Sequence, residues 1–319
     1  MALTTANSNS RFTQATYDSI CNAIGDRNII VDQVRAAELT EVVIDQTDKF
    51  LVTSSLGKKY FLIVSNAKFP LTVSKAISRL QDARSVLGSR TRNVVEMPMH
   101  HGYWDGVSYA LWLYSLPLSN NRLYLYAQKR LLIPKMANWL SSIAEETLRN
   151  DLTSEDLRNN FIEPLEILIS HPELGATLSR VSQIAISRIT GGDFNPVHVL
   201  QHGDLWRGNV LIGGAMKLLS PFGDGFVVID WGGAKVSGYP FIDLLRFVMS
   251  FNLSPMETAR HISAMRSIIR CEPEDVASYV ACSFGKLYQE LDNFPRQSFI
   301  NLCESSMHHL VAAGLCKDY

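Results

Sequence analysis

One short segment constrains this chain more than any other: the stretch that begins at Gln201 and reads QHGDLWRGNVLIGG. It brings an acid, a cation and an amide (Asp204, Arg207 and Asn209) close together in a glycine-containing run. Strand-like runs flank it, with VHVL before it and NVLIG and FVVID after it. The pattern predicts a polar loop held between short strands, with a second acid, Asp230, at the end of FVVID.

These polar residues are the types that phosphoryl transfer to a hydroxyl requires. A carboxylate must orient the attacking hydroxyl and accept its proton, and oxygen ligands must hold Mg²⁺ against the phosphates. Asp204 is the candidate for the first task. The run GAMKLLSPFGDG is expected to join the last two strands as a hairpin, which would bring Asp230 beside Asn209 as metal ligands. The competing interpretation is structural, because Asp and Asn on such a loop are also common turn residues.

The pattern along the rest of the chain predicts an α+β fold. A helical run at 11–24 precedes the strand-like runs VVIDQ, KFLVTS and KKYFLIVS, a helix from Val73 to Leu87, and the runs NVVEMPMHHG and VSYALWLYS. From Arg122 onward the pattern is mostly helical, with a predicted interruption at Pro134. We therefore expect a small β-rich lobe over residues 1–114 and a larger, mostly helical lobe over residues 115–319.

Composition excludes several classes of protein. The formal net charge of −1 gives no indication of a nucleic-acid partner or an anionic membrane. There is no apolar run of about 18 residues, so no membrane span is expected, and the polar start MALTTANSNSRF lacks the apolar region of a secretion signal. The five cysteines are scattered without a CxxC pair, which predicts no zinc site and a reduced, cytoplasmic compartment. The oligomeric state is not indicated.

The segment HGDLWRGN, followed by VVIDW, resembles the catalytic and metal-binding segments of the aminoglycoside phosphotransferase and choline/fructosamine kinase group. That group shares its fold with protein kinases, so the resemblance implies a two-lobed, protein-kinase-like fold. It also implies that Asp204 is the catalytic base and that Asn209 and Asp230 bind Mg²⁺. His202 would be a scaffold residue of the loop, and Asp243, in YPFIDLLRF, would brace it.

The activity that this resemblance implies is transfer of the γ-phosphoryl group of ATP or GTP to a hydroxyl of a small molecule. The expected partners are therefore the nucleotide and an acceptor such as a sugar, an amino alcohol or an antibiotic. Close motif similarity is confined to residues 201–247, which select neither the nucleotide nor the acceptor. The alternative is a pseudokinase-like module that binds or regulates without transferring phosphate.

The small lobe departs from the pattern of the family. When KKYFLIVS is taken as the third strand, Ile63 occupies the position of the lysine that contacts the nucleotide phosphates in these kinases. The glutamate that holds that lysine is replaced near Leu80. Either the strand register has slipped, and Lys58 or Lys68 is the phosphate contact, or the lobe handles ATP in another way or not at all. The segment VVIDQTDKF also lacks the glycines that let backbone N–H groups approach phosphates.

Overall fold

The structure, a computed structural model, describes residues 14–34, 47–213, 225–290 and 295–317. The described chain divides into two compact units, one within residues 1–75 and 97–114, and the other within 76–96 and 115–319. The division into lobes 1–114 and 115–319 stays a prediction. The structure groups residues 76–96, expected in the small lobe, with the second unit.

The first unit is an antiparallel sheet with one helix packed on it, and its five strands lie in the order β1-β2-β3-β5-β4. The helix α2, Thr72–Val86, begins in this unit and continues into the second. It confirms the helix predicted from Val73 to Leu87. The other elements are α1 (Gln14–Ile24), β1 (Ile30–Gln33), β2 (Thr47–Thr53), β3 (Lys59–Ser65), β4 (His100–Trp104) and β5 (Val107–Leu113).

Alternation along the strands separates the two faces of this sheet. On β3 the side chains of Tyr60, Leu62 and Val64 are buried in a core that also contains Ile20 and Cys21 of α1. The intervening residues of β3 turn to the opposite face and are less buried, as the alternation of side chains along a strand requires. The run VVIDQ, predicted as a strand, lies outside the described residues.

The second unit is mostly helical, as predicted, and contains two small antiparallel sheets with the orders β10-β7 and β6-β8-β9. Its α-helices are α3 (Ser89–Arg92), α4 (Arg122–Thr147), α5 (Ser154–Leu157), α6 (Glu163–Ile169), α7 (Ala176–Gly191), α8 (Ile242–Ser250), α9 (Pro255–Ile269), α10 (Pro273–Gln289) and α11 (Arg296–Ala312). Its strands are β6 (Leu116–Pro117), β7 (Val199–Gln201), β8 (Val210–Ile212), β9 (Phe226–Val228) and β10 (Lys235–Gly238). A π-helical turn, Arg158–Ile162, connects α5 to α6. The α+β class is confirmed.

Pro134 does not interrupt the helix in which it lies, so that prediction is wrong. The helix α4 runs unbroken from Arg122 to Thr147. An internal proline costs a helix about 3 kcal/mol because it removes one hydrogen bond and crowds the preceding turn. Beyond Pro134 the helix buries Met136, Trp139 and Leu140, and burial of side chains of this size is worth roughly 1.5–3 kcal/mol each. Tertiary packing therefore outweighs the local penalty.

Side-chain hydrogen bonds to α4 explain why residues 76–96 belong to the second unit. Gly88 N–H donates to the Glu146 carboxylate at 2.9 Å, and the Thr91 hydroxyl donates to the same group. Trp139 Nε1 donates to the Thr91 carbonyl at 3.0 Å. Glu146, on α4, thus holds α3 against that helix.

None of the described helices is long and apolar enough to cross a membrane. The five cysteines form no disulfide within the described part of the chain.

Candidate active site

The QHGDLWRGN segment forms a loop between β7 and β8, and a close backbone approach fixes its first turn. Gly203 has a φ of +86°, a conformation that side chains disfavour. A Cβ atom there would lie 2.6 Å from the carbonyl oxygen of Gly233, so there is also no space for a side chain. The loop is therefore held directly against the segment that follows Asp230.

Two side chains hold the backbone of this loop. The buried Asp243 carboxylate, on α8, accepts the N–H groups of His202 at 2.5 Å and Gly203 at 3.0 Å. His202 donates from Nε2 to the Ile229 carbonyl at 2.9 Å, and its Nδ1 accepts the Asp204 N–H at 3.2 Å. These bonds confirm that Asp243 braces the loop and that His202 is a scaffold residue. They also tie Asp204 to the end of β9.

Asp204 is held on both sides of its carboxylate. One oxygen accepts a hydrogen bond from the Arg246 guanidinium, and the other accepts one from Asn209 Nδ2 at 3.2 Å. Desolvation by the surrounding protein raises the pKa of Asp204 above its usual value, although 44% of the side chain stays exposed. Arg246 opposes that rise, and the charge of Asp230 adds to it. The net result is a carboxylate with a raised pKa and a fixed orientation, which is what a general base requires.

Arg246 is the residue that the sequence analysis missed. It lies on α8, three positions after Asp243, so the two side chains share a face of the helix. Asp243 was already expected to reach the loop, and this spacing was the available signal. An arginine one turn further along the same face was therefore positioned to reach Asp204.

The structure brings Asn209 and Asp230 together, as the predicted hairpin required. The strands β8 and β9 pair antiparallel, and the Ile229 N–H donates to the Asn209 carbonyl at 3.0 Å. Asp230 follows at once, exposed and in the left-handed conformation with φ 65°. The loop GAMKLLSPFGDG, apart from its last glycine, lies outside the described residues.

The oxygen atoms of Asn209 and Asp230 fit a Mg²⁺ ion. Asn209 directs Nδ2 to the carbonyl and the carboxylate of Asp204, at 2.8 and 3.2 Å, which leaves Oδ1 as the amide's acceptor. Asp230 supplies an exposed carboxylate. Among the described residues there is no group of three or more His, Cys, Asp or Glu suited to a metal. Mg²⁺ is commonly bound by one or two carboxylates, with waters and phosphate oxygens completing its shell, so two protein ligands suffice.

The two tryptophans near the loop differ in their environments. Trp231 is buried and donates Nε1 to the Val228 carbonyl at 2.9 Å, so it is a packing residue. Trp206, by contrast, is 46% exposed. Its ring lies over Gly208, where a Cβ atom would come within 2.3 Å of it. The Arg207 side chain is exposed, and its backbone N–H donates to the Ser250 hydroxyl at 3.0 Å.

The positions expected to carry a lysine and its glutamate are apolar, as the sequence implied. Ile63 is half-buried on β3, and Leu80 is buried on α2. That they replace an ion pair stays a prediction.

A cavity of about 350 Å³, with several charged side chains in its lining, lies elsewhere in the second unit. None of Asp204, Asn209 and Asp230 lines it, so it has no part in this site. Its charged lining residues are Arg79, Asp82, Lys235, Lys286 and Glu290.

Comparison with known proteins identifies the fold of the chain. No protein-family model and no curated protein matches the sequence. Among solved structures, a GDP complex of a mutant aminoglycoside 2'-phosphotransferase matches with a TM-score of 0.54 and 15% identity, over 94% of this chain and 99% of that one. A putative fructosamine-3-kinase from Thermobifida fusca matches with a TM-score of 0.51 and 15% identity, over 93% and 99% of the two chains. A second putative fructosamine-3-kinase, from Haemophilus somnus, gives 0.52 and 14%, over 92% and 96%.

The chain therefore has the protein-kinase-like fold of aminoglycoside phosphotransferases and fructosamine kinases. The fold expected from the HGDLWRGN and VVIDW segments is confirmed over nearly the whole chain. A shared fold does not by itself establish a shared reaction.

Proposed function

We propose that this protein is a Mg²⁺-dependent phosphotransferase that moves the γ-phosphoryl group of ATP or GTP to a hydroxyl of a small molecule. The acceptor class is a sugar, an amino alcohol or an antibiotic. The observation that carries the proposal is the setting of Asp204, whose carboxylate is fixed between Arg246 and Asn209 on a doubly braced loop. The names of the structural relatives support it, since they describe an aminoglycoside phosphotransferase with GDP and putative fructosamine-3-kinases.

In the proposed reaction, Asp204 accepts a hydrogen bond from the acceptor hydroxyl and orients its oxygen toward the γ-phosphorus. The oxygen attacks in line, the bond between the γ-phosphorus and the β–γ bridging oxygen breaks, and the nucleoside diphosphate leaves. The hydroxyl proton passes to the Asp204 carboxylate. Asn209 Oδ1 and the Asp230 carboxylate would hold Mg²⁺. When bound, the ion neutralises charge that develops on the phosphate oxygens.

The raised pKa of Asp204 suits this role. A base with a pKa closer to the working pH is a better proton acceptor than an ordinary aspartate. The Arg246 guanidinium limits the rise, because a neighbouring positive charge favours the ionised form of the carboxyl group. Orientation by Arg246 and Asn209 also lowers the entropic cost of positioning the base.

The test is the Asp204→Asn variant, which keeps the size and polarity of the side chain but cannot accept a proton at neutral pH. Turnover of ATP and GTP should be measured on a panel of hydroxyl acceptors. We expect it to fall by about 10²–10⁴-fold, the usual contribution of a general base, while nucleotide binding is retained. Asp193→Asn, at an exposed position outside the loop, is the matched control and should keep wild-type turnover. Equal rates in the Asp204 variant and wild type would remove this residue from the mechanism.

A second candidate function is a nucleotide- or ligand-binding module without transfer. The observation that favours it is the apolar Ile63 on β3, where a phosphate-binding cation is expected. Thermal-shift measurements with ATP, GTP and Mg²⁺ separate the candidates, because a ligand that binds only the native state raises the melting temperature. Stabilisation without turnover of any acceptor would favour the binding module. Stabilisation with turnover that depends on Asp204 supports the phosphotransferase.

A further inference from the structure

The face of the five-stranded sheet that turns away from α1 is organised in cross-strand rows. Side chains directly opposite each other on neighbouring antiparallel strands share a face, with Cβ atoms about 4.5–5.5 Å apart. Ile63 of β3 lies opposite Lys49 of β2 on one side and Ala110 of β5 on the other. The position expected to hold a cation is therefore apolar, but a lysine from the adjacent strand lies next to it in the same row.

The row two residues away along the strands is apolar. It consists of Leu51, Phe61 and Trp112, all half-buried. Because a strand rises about 3.3 Å per residue, this row lies about 6–7 Å from the Lys49 row. A nucleotide combines an aromatic base with a polyanionic phosphate chain. An apolar row beside a lysine row offers complementary chemistry to both parts.

On its other side, the Lys49 row is bounded by the start of α2. The Ser65 and Ser108 hydroxyls are hydrogen-bonded to each other at 2.8 Å. They also accept the N–H groups of Val73 and Ser74, at 2.9 and 3.0 Å. The first turn of α2 thus covers this end of the face. In the next row Lys49 is exposed and Ile63 is half-buried, whereas Ala110 is buried.

Lys49 is exposed, and its ammonium group has no ion pair or hydrogen bond within the described residues. The other lysines considered for this role are less suitable. The ammonium group of Lys58 lies 5.6 Å from the ring centroid of Tyr60, which belongs to the opposite, buried face. Lys59 is four residues, about 13 Å, from Ile63. Lys68 lies beyond the end of β3, in a turn where its N–H donates to Asn66 at 3.0 Å.

We propose that Lys49 of β2 is the residue of this sheet that binds the nucleotide phosphates, in place of a lysine at Ile63. The inference rests on the proposed function, because it assumes that the chain binds a nucleoside triphosphate. The inference moves the phosphate contact from β3 to β2 but keeps it in the same cross-strand row, because Lys49 lies opposite Ile63. The predicted loss of the lysine at Ile63 is then real, while its charge is supplied from the neighbouring strand.

The first test is the Lys49→Met variant, which keeps an unbranched side chain and removes the charge. Affinity for ATP and GTP with Mg²⁺, and for adenosine and guanosine, should be measured by calorimetry. Hydrogen bonds to charged groups are worth enough to change a dissociation constant about ten- to hundredfold. We expect that loss for the triphosphates and no change for the nucleosides, which lack phosphate. Lys59→Met, on the same face but distant from the row, is the matched control and should bind within about twofold of wild type.

The second test moves the cation. In the double variant Lys49→Met/Ile63→Lys, an ammonium group is restored to the same row from β3. We expect it to recover at least part of the triphosphate affinity that Lys49→Met loses, since the two Cβ atoms are only about 5 Å apart. Ile63→Lys alone places like charges side by side and should lower the melting temperature.

The outcomes separate this inference from the proposed function. If Lys49→Met binds triphosphates as wild type does while Asp204→Asn loses turnover, the inference is overturned and the phosphotransferase stands. Equal losses for triphosphates and nucleosides, or no recovery in the double variant, would also overturn the inference. If wild type binds no triphosphate, both proposals fail.

Discussion

The loop that carries Asp204, in the second unit, and the sheet face that carries Lys49, in the first unit, differ in how their charged groups are satisfied. At the loop, the carboxylates of Asp204 and of Asp243, which braces the loop from α8, both have protein partners. On the sheet face, Lys49 has no such partner among the described residues, and the neighbouring Ile63 is apolar. The loop is therefore organised before any ligand arrives, whereas the exposed charge on the sheet face stays available to a ligand.

This difference separates two requirements of the proposed reaction. A base must be oriented within a fraction of an ångström, which rigid hydrogen bonding achieves. A phosphate contact needs only a positive charge within reach of a flexible ligand, and a lysine on either of two adjacent strands can supply it. The loop is thus expected to tolerate little change, and the sheet face to tolerate relocation of its charge.

The largest effect on the loop side is expected from Asp230→Asn. Asparagine accepts the left-handed backbone at this position but removes the charge that would attract Mg²⁺. Metal stabilisation of the transition state amounts to several kcal/mol, so turnover should fall roughly hundredfold or more. The Mg²⁺-dependent part of nucleotide-induced thermal stabilisation should disappear, while Mg²⁺-free nucleotide binding, assigned to the sheet face, should remain.

Melting curves with ATP or GTP, in the presence and absence of Mg²⁺, provide the measurement for this variant. Asp193→Asn, outside the loop, is the control and should keep the full Mg²⁺ effect. A full Mg²⁺ effect in Asp230→Asn would contradict the metal assignment. The contrast drawn above requires that the loop and the sheet face act separately. Loss of Mg²⁺-free nucleotide binding in Asp230→Asn would show that they do not.

The next effect concerns the rigidity of the loop and is expected from Gly203→Ala. Both Gly203 and Gly192 have positive φ values, of +86° and +81°. Alanine at either position should lower the free energy of unfolding by about 1–2 kcal/mol, because a side chain disfavours the left-handed backbone conformation. Only at Gly203 would the new Cβ meet a backbone oxygen, at 2.6 Å, whereas at Gly192 nothing lies within 4 Å. The overlap should add about 1–3 kcal/mol to the loss of stability.

Denaturant titration of both glycine variants isolates the cost of the close approach. The substitution Ile63→Val on the sheet face is the comparison for the loop. It should lower the free energy of unfolding by only about 0.5–1.5 kcal/mol. Equal losses for Gly203→Ala and Gly192→Ala would mean that the loop can move away from Gly233. The loop would then be no more rigid than the sheet face.

The smallest effect, a shift in pH dependence, is expected from Arg246→Met. In the proposed reaction an ionised Asp204 accepts the proton, so activity is expected to fall as the pH drops through the pKa of this residue. The pH range in which activity falls is the acid limb of the profile, and it follows the pKa of Asp204. Burial raises this pKa above the ordinary aspartate value of about 3.9, and the Arg246 guanidinium lowers it. Removing the guanidinium should therefore move the acid limb of kcat/KM to higher pH.

A pH profile of kcat/KM for the variant and wild type tests this expectation. Arg207→Met, which removes a nearby exposed charge from the same loop, should move the limb much less than Arg246→Met does, since Arg207 is not among the main causes of the shifted pKa of Asp204. A limb that stays in place in Arg246→Met, or moves to lower pH, would contradict the electrostatic role of this residue. A uniform loss of rate at every pH would assign Arg246 to positioning alone.

Local sequence patterns predicted much of the fold. The helix from Val73 and the strand in KKYFLIVS were predicted because period and turn residues are local properties of the chain. The helix α4 was not predicted correctly, because the packing that offsets the penalty of Pro134 is non-local. Likewise, nothing in the local pattern of residues 76–96 indicates that Thr91 bonds to Glu146, on a different helix.

The sequence by itself determined the composition of the loop and, through the predicted pairing of the strands now labelled β8 and β9, the neighbourhood of Asn209 and Asp230. It did so because strands that follow each other along the chain commonly pair and because the types of these residues suit one chemistry. Only the tertiary structure decided that Arg246 pairs with Asp204 and that Lys49 shares a row with Ile63. The first contact spans forty-two positions and the second depends on strand register. Neither is encoded in a local period, since both arise when separate elements pack together.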